Sequence, residues 1–173
     1  MIIIRLKGGL GNQLFQYAFG RLLSLKYGAS VKYKFSGNKS DTKRDYKLDY
    51  FNTKADLATD EEFKKNRYPF GIFSKINEVL KTKVLRQFNM GYSDKLFNKK
   101  NGYLEGYWQS YKYLEPIKNN LLKELTLKKS IENKYEIIKQ MRETDSVCVQ
   151  IRRGDYVSNA KSISEYVTFG MEY

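Results

Sequence analysis

The sequence contains no histidine and one cysteine, Cys148. The first absence excludes Ser-His-Asp and Cys-His catalysis and every histidine-ligated metal site. The second excludes an internal disulfide or a thiolate cluster. Any chemistry therefore runs on carboxylates, arginines, lysines, hydroxyls and backbone groups. Prolines number only two. No apolar run approaches the ~20 residues of a membrane span. The opening MIIIRLKGGLGNQ lacks the basic-then-apolar plan of a signal peptide. A cytoplasmic chain is the default expectation.

Acidic residues are also scarce: 19 Asp and Glu face 32 Lys and Arg, a formal net charge of +13. Only eight of the 32 are arginines. Such a balance favours an anionic partner: nucleic acid, a membrane surface or a phosphate-bearing substrate. A compositional bias toward lysine explains the excess equally well. The remaining composition, 41% hydrophobic and 29% charged, is that of a soluble globular protein. A chain of 173 residues is long enough for one good domain and short for two. It buries roughly 70% of its unfolded surface, enough for a core without staples. Aromatic residues are abundant, with fifteen tyrosines and ten phenylalanines.

Residues 2–6, IIIRL, read as a buried strand, short and β-branched. The turn GGLGN follows, and then a helix through NQLFQYAFGRLLSLKYG, with Leu14, Ala18, Leu22 and Leu25 at helical spacing and Gly28 as its stop. SVKYKF (30–35) alternates like a second strand. Together these form a β-loop-α-β unit, the opening of a parallel sheet. Residues 36–49 read as a loop. Thr59 and Glu62 make a capping box before a short helix. GYLEGYWQS (102–110) reads as a strand, Pro116 opens a helix, residues 130–143 form an amphipathic helix, and VCVQI (147–151) is expected to be another buried strand.

Three features carry candidate chemistry. Gly9-x-Gly11 after a strand invites a dinucleotide reading, but the third glycine position holds Leu14, and Lys34-Phe35 stand where an acidic residue is expected. No Gly-Lys-Ser/Thr follows, which excludes a P-loop. What remains is a glycine-lined turn at a helix N-terminus, suited to anions or hydroxyl-rich ligands or simply to a tight turn. Asn12 and Gln13 add amides that suit sugar hydroxyls. The second feature is Arg152-Arg153-Gly154-Asp155. Adjacent side chains on an extended segment point to opposite faces, so one arginine can fork onto a phosphate while the other pairs with a carboxylate. A surface ion pair capping a strand is the equal alternative. The third is Tyr103, Tyr107, Trp108, Tyr111 and Tyr113, with Glu105 and Glu115 nearby. These suit sugar stacking or single-stranded nucleic acid, or else aromatic core packing.

In this order, MIIIRLKGGLGNQLFQYAFGRLLS, LEGYWQS and VQIRRGDYVSN resemble the bacterial α-1,2-fucosyltransferases, glycosyltransferase family 11. The resemblance covers essentially the whole chain and the first half to two thirds of a family member. It implies an α/β fold of GT-B type: a first Rossmann-like domain (1–145), then the truncated start of the nucleotide-sugar-binding domain (146–173). It implies inverting transfer of L-fucose from GDP-fucose to the 2-hydroxyl of a terminal galactose in a glycan, without a metal or other cofactor. Arg152, Arg153 and Gly154 are then donor-binding, Gly9, Gly11, Asn12 and Gln13 belong to the acceptor side or its loop, and Asp155 is the candidate catalytic base. The family motif opens with histidine where this chain has Gln150, which hydrogen-bonds but does not titrate.

From Val147 only 27 residues remain, against the order of 100 that a Rossmann-like domain needs. The expectation is therefore that this chain alone is inactive or nearly so. The alternatives are a truncated glycan- or partner-binding fragment and, lacking any nucleic-acid motif, a basic RNA-binding module. The resemblance implies no nucleic-acid partner. It implies a galactose-terminated glycan that is often lipid-linked, which with the basic charge leaves peripheral contact with the inner membrane open.

Overall fold

The computed structural model describes residues 1–35, 45–67, 84–86, 92–95, 97–98, 101–129 and 135–149. The chain divides into two compact units, Met1–Lys129 and Ser130–Tyr173. In the first, strand β1 (Ile2–Leu6) runs into helix α1 (Leu10–Tyr27), which returns to strand β2 (Val31–Phe35). Helix α2 (Asp60–Arg67), strands β3 (Val84–Arg86) and β4 (Gly102–Glu105), and the short helices α3 (Tyr111–Leu114) and α4 (Lys118–Glu124) follow. The strands form one sheet in the order β2-β1-β4-β3, every neighbouring pair parallel. Parallel neighbours need a crossover, which α1 supplies between β1 and β2. The α/β reading and its opening unit are borne out.

Alternation along β1 sends its residues to two faces. Ile2, Ile4 and Leu6 join Tyr17, Phe19, Leu22 and Leu23 of α1, with Leu104, Trp108, Tyr113 and Leu121, in the main core. Ile3 points the other way and packs with Tyr103, Ala58 and Phe63 of α2. Helices thus cover both faces of the sheet, and β1 and β4 are largely buried, as parallel strands usually are, while β2 is mostly half-buried. Gly28 ends α1 in the left-handed conformation, φ 63°. Gly20 lies mid-helix, where a glycine costs about 1 kcal/mol against alanine. Its bare Cα makes room for the Tyr33 ring, whose hydroxyl would collide with a Cβ there. That hydroxyl donates to the Tyr17 carbonyl at 2.9 Å. At the start of α2 the capping box forms: Thr59 N–H donates to Glu62 Oε2 at 2.9 Å and Glu62 N–H to Thr59 Oγ1 at 3.2 Å.

A buried polar cluster ties α1 to α4. Glu124, 5% exposed, accepts from Arg21 Nε at 2.9 Å and from Arg21 Nη2 at 2.7 Å. It also accepts a short hydrogen bond from the Tyr17 hydroxyl, which in turn accepts from the Lys54 N–H at 2.9 Å. Burial alone would raise the Glu124 pKa, but the forked Arg21 guanidinium and the Tyr17 hydroxyl hold it below the usual carboxylate range. The same burial and the neighbouring carboxylate push the Tyr17 hydroxyl well up.

Two expectations change. The strand expected over 102–110 ends at Glu105, because Gly106 follows and Trp108 takes the left-handed conformation, φ 49°. The buried strand expected at 147–151 does not form over the residues described: 146–149 are irregular, with Val147 90% and Val149 78% exposed. A strand is held by pairing along its edges, and among the described residues none pairs with this stretch. In the second unit, helix α5 (Glu136–Glu143) exposes Ile137 and Met141. It lies beyond the division at Lys129.

The clamp on Glu124 predicts how stability varies with pH. Its lowered folded pKa means that its contribution is complete above the unfolded value near 4.3 and is lost as pH falls through the folded value. Glu124→Gln leaves Arg21 without its counter-charge and costs about 3–5 kcal/mol at pH 7. Urea denaturation should show the gap between wild type and variant constant from neutral pH to about 5 and narrowing below about 4.

Candidate functional site

The sequence-predicted glycine turn sits at the carboxyl edge of the parallel sheet, where open α/β sheets place their ligands. β1 ends at Leu6, Lys7 and Gly8 turn the chain, and Gly9 stands at the N-cap in extended conformation. Gly8, rather than Gly9 or Gly11, has the left-handed backbone, φ 78°, and a Cβ on it would lie 2.6 Å from Asn12 Nδ2. Two glycines in succession after a strand were the available signal for that turn. Gly11 lies in the first turn of α1 with open space around it. Among the described residues no side chain caps the helix at Gly9. The first-turn N–H groups of a helix have no intrahelical acceptors, so this end of α1 favours an anion or a hydroxyl-rich ligand.

The amides of α1 brace this turn. Gln13 is fully buried. Its Nε2 donates to the Gly8 carbonyl at 3.0 Å and the Asp45 carbonyl at 2.9 Å, and its Oε1 accepts from the Lys47 N–H at 3.0 Å. Both ends of the amide are occupied, so Gln13 holds the loop rather than facing a sugar. Asn12 Oδ1 accepts from Gln109 Nε2 at 2.7 Å, which ties the turn to the segment after β4. Gln16 plays a part that sequence reasoning missed. Its Oε1 accepts from the Lys7 N–H at 2.9 Å, and its Nε2 donates to the Gly106 carbonyl at 3.1 Å. Its signal was a second glutamine, three residues on, on a face that helical periodicity makes apolar.

Beside the turn lies a charged group from β1 and β4. Glu105 Oε1 meets Arg5 Nη1 at 2.6 Å and Lys7 Nζ at 3.2 Å. Lys7 Nζ also stands 4.8 Å from the centre of the Tyr107 ring. Partial burial would raise the Glu105 pKa, but the Lys7 hydrogen bond and the Arg5 charge bring it below the usual value. Glu105 is therefore an ionised, weakly basic carboxylate. It can accept a hydrogen bond but is poorly suited to removing a proton.

Most of the aromatic run belongs to the core. Tyr103, Trp108 and Tyr113 are fully buried. Trp108 stacks on Phe19 with centroids 4.5 Å apart, and Tyr113 meets the same ring edge-on at 5.1 Å. The Trp108 indole N–H finds no hydrogen-bond acceptor among the described residues. Tyr107 is half-buried and Tyr111 exposed. Arg152, Arg153, Gly154 and Asp155, with Gln150, lie outside the described residues. Among the described residues no group of three or more His, Cys, Asp or Glu is placed to hold a metal ion. None of their helices is long and apolar enough to cross a membrane.

A parallel α/β sheet with a glycine turn and a bare helix start at its carboxyl edge is an arrangement that nucleotide-sugar enzymes use. The family model described as glycosyl transferase family 11 matches residues 80–173, a span that contains Arg152 to Asp155. The chain belongs to that family. It is similar to an alpha-1,2-colitosyltransferase of Escherichia coli, 33% identical over 168 residues, covering 94% of this chain and 58% of the relative. It is also similar to the O-antigen biosynthesis glycosyltransferase WbnK of Escherichia coli, 29% identical over 196 aligned residues, covering 97% of this chain and 64% of the relative. The chain spans about three fifths of the length of these curated relatives. No solved structure matches it.

The two glycines of the turn should respond differently to a methyl group. Gly8→Ala forces a left-handed alanine against Asn12 and should cost about 1–2 kcal/mol. Gly11→Ala gains helix propensity in open space and should be neutral or stabilising by about 0.5–1 kcal/mol. Thermal melts of the two variants check the order, and a larger loss at Gly11 would contradict this turn geometry.

Proposed function

We propose that the chain serves an inverting transfer of L-fucose from GDP-fucose to the 2-hydroxyl of a galactose in a glycan. Family membership over 80–173 is the observation that carries this reading, because that span contains the arginine loop. The linkage in the name of the colitosyltransferase relative supports an α-1,2 product. In this reaction the acceptor hydroxyl attacks the anomeric carbon as the bond to GDP breaks. The leaving diphosphate takes the bonding electrons, and a guanidinium forked onto it stabilises the charge that develops. Arg152 is assigned that role first and Arg153 second, with Gly154 allowing close backbone approach. The acceptor's proton passes to a carboxylate, for which Asp155 is the candidate. The bare start of α1, with Gly9, Gly11 and Asn12, lies on the acceptor side, while Gln13 holds its loop in place. The proposed chemistry needs no metal. A colitosyl donor is the second reading, favoured by the same relative's name.

Calorimetric titration of GDP into the 173-residue chain and into Arg152→Ala tests the donor assignment. The expected result is micromolar binding that weakens at least tenfold in the variant. Absence of binding, or equal affinity in both proteins, would overturn it. Competition between GDP-fucose and GDP-colitose decides the donor: tighter binding of the colitosyl nucleotide favours the second reading.

A further inference from the structure

Four side-chain amides gather at the carboxyl edge, and they divide into two kinds. Gln13 and Gln16 spend both ends of their amides on the protein. Asn12, in the first turn of α1, and Gln109, in the segment after β4, spend one end each, on one another: Gln109 Nε2 donates to Asn12 Oδ1 at 2.7 Å across 97 residues of chain. An amide has one acceptor oxygen and one donor nitrogen, so this single bond leaves Asn12 Nδ2 as a donor and Gln109 Oε1 as an acceptor. Turning both amides over exchanges the roles and still leaves one of each.

Neither of these two ends has a further hydrogen bond among the described residues. Both side chains are half-buried, and neither end is sealed from solvent as the Trp108 indole N–H is. The backbone beneath them is fixed. Gln16 bridges the Lys7 N–H and the Gly106 carbonyl, which joins the glycine turn to the loop after β4. A ligand therefore meets a donor and an acceptor already set side by side, with little ordering left to do. Two neighbouring hydroxyls match that pair, one accepting from Nδ2 and the other donating to Oε1. In the proposed reaction the 2-hydroxyl of galactose attacks, and the anomeric oxygen carries the rest of the glycan. The neighbouring pair left on the ring is the 3- and 4-hydroxyls, which in galactose are cis.

We propose that Asn12 and Gln109 together read the cis 3,4-diol of the acceptor galactose, with Gln109 as a specificity-determining residue brought in by the loop after β4. The assignment rests on the galactoside acceptor of the proposed reaction. It differs from a latch between loop and turn, which would need the joined amide ends and not the free ones.

NMR titration of the 173-residue chain with methyl β-galactoside and its deoxy analogues tests it. In the wild type the 3-deoxy and 4-deoxy sugars should each bind about tenfold more weakly than the parent, because each leaves one amide end unpaired, and the 6-deoxy sugar about equally. Asn12→Asp keeps the bond from Gln109 Nε2 and suits a helix start, but puts a second acceptor where the free donor stood. Gln109→Glu does the same once Asn12 Nδ2 turns to donate to the new carboxylate. Both variants should keep the melting temperature and bind the galactoside about tenfold more weakly. They should also cease to penalise loss of the hydroxyl that met the donor. Equal binding of the 3- and 4-deoxy sugars by the wild type would overturn the proposal and leave the galactoside acceptor standing. So would undiminished affinity in both variants, which would make the amide bond a latch. No binding of any galactoside would remove the acceptor reading and this subsite with it.

Discussion

The carboxyl edge of the sheet depends on the buried amide hydrogen bonds by which helix α1 grips the turn that precedes it. Gln13 and Gln16 reach backward to Gly8 and Lys7 and across to Asp45, Lys47 and Gly106. A buried amide left unpaired costs on the order of 1–3 kcal/mol, so these bonds tolerate little rotation or sliding of the helix. Apolar contacts alone, being non-directional, would permit such movement. Farther along, the Arg21–Glu124 fork and the Tyr17 hydroxyl fix the same helix to α4. Between these clamps Phe19, Leu22 and Leu23 supply the bulk of the burial.

A helix held at two places presents its uncapped start in a fixed position. That is what a transferase needs from the non-reacting part of its fold: donors already placed, with no ordering left to do on binding. The Arg5–Glu105–Lys7 group lies beside this start and leaves the edge with two cations on one carboxylate. Together with the bare helix start, this edge suits an oxygen-rich ligand such as a glycan. The stacked Trp108 beneath the edge ties the loop after β4 to α1 through Phe19. Its left-handed backbone costs on the order of 1–2 kcal/mol, which that packing must offset.

The sequence was most readable where local rules suffice. IIIRL announced a buried strand, the 3.6-residue spacing of Leu14, Ala18 and Leu22 announced α1, and Gly28 and the Thr59–Glu62 box marked ends that the structure reproduces. It was least readable where partners lie far apart along the chain. Glu124 meets Arg21 from 103 residues away, and no local pattern separates it from a solvated glutamate. Gln13 and Gln16 look like helix-surface amides until the turn they brace is seen. Gly8 was overlooked because the spacing of Gly9 and Gly11 matched a better-known motif. Val147 to Val149 read as buried because composition reports apolarity, whereas burial of a strand depends on what lies beside it. The family resemblance rested on stretches at both ends and the middle of the chain, and the match over 80–173 places the chain in that family.

The central claim is that the bare start of α1, braced by Gln13 and Gln16, is the ligand-facing edge of this fold. Amide NMR spectra recorded during titration with a galactoside acceptor test it most directly. Shifts should concentrate on Gly8 to Asn12, with Gln109 following through its bond to Asn12, and should leave the Arg21–Glu124 region unmoved. Shifts confined to other parts of the chain, or none at saturating galactoside, would contradict the account.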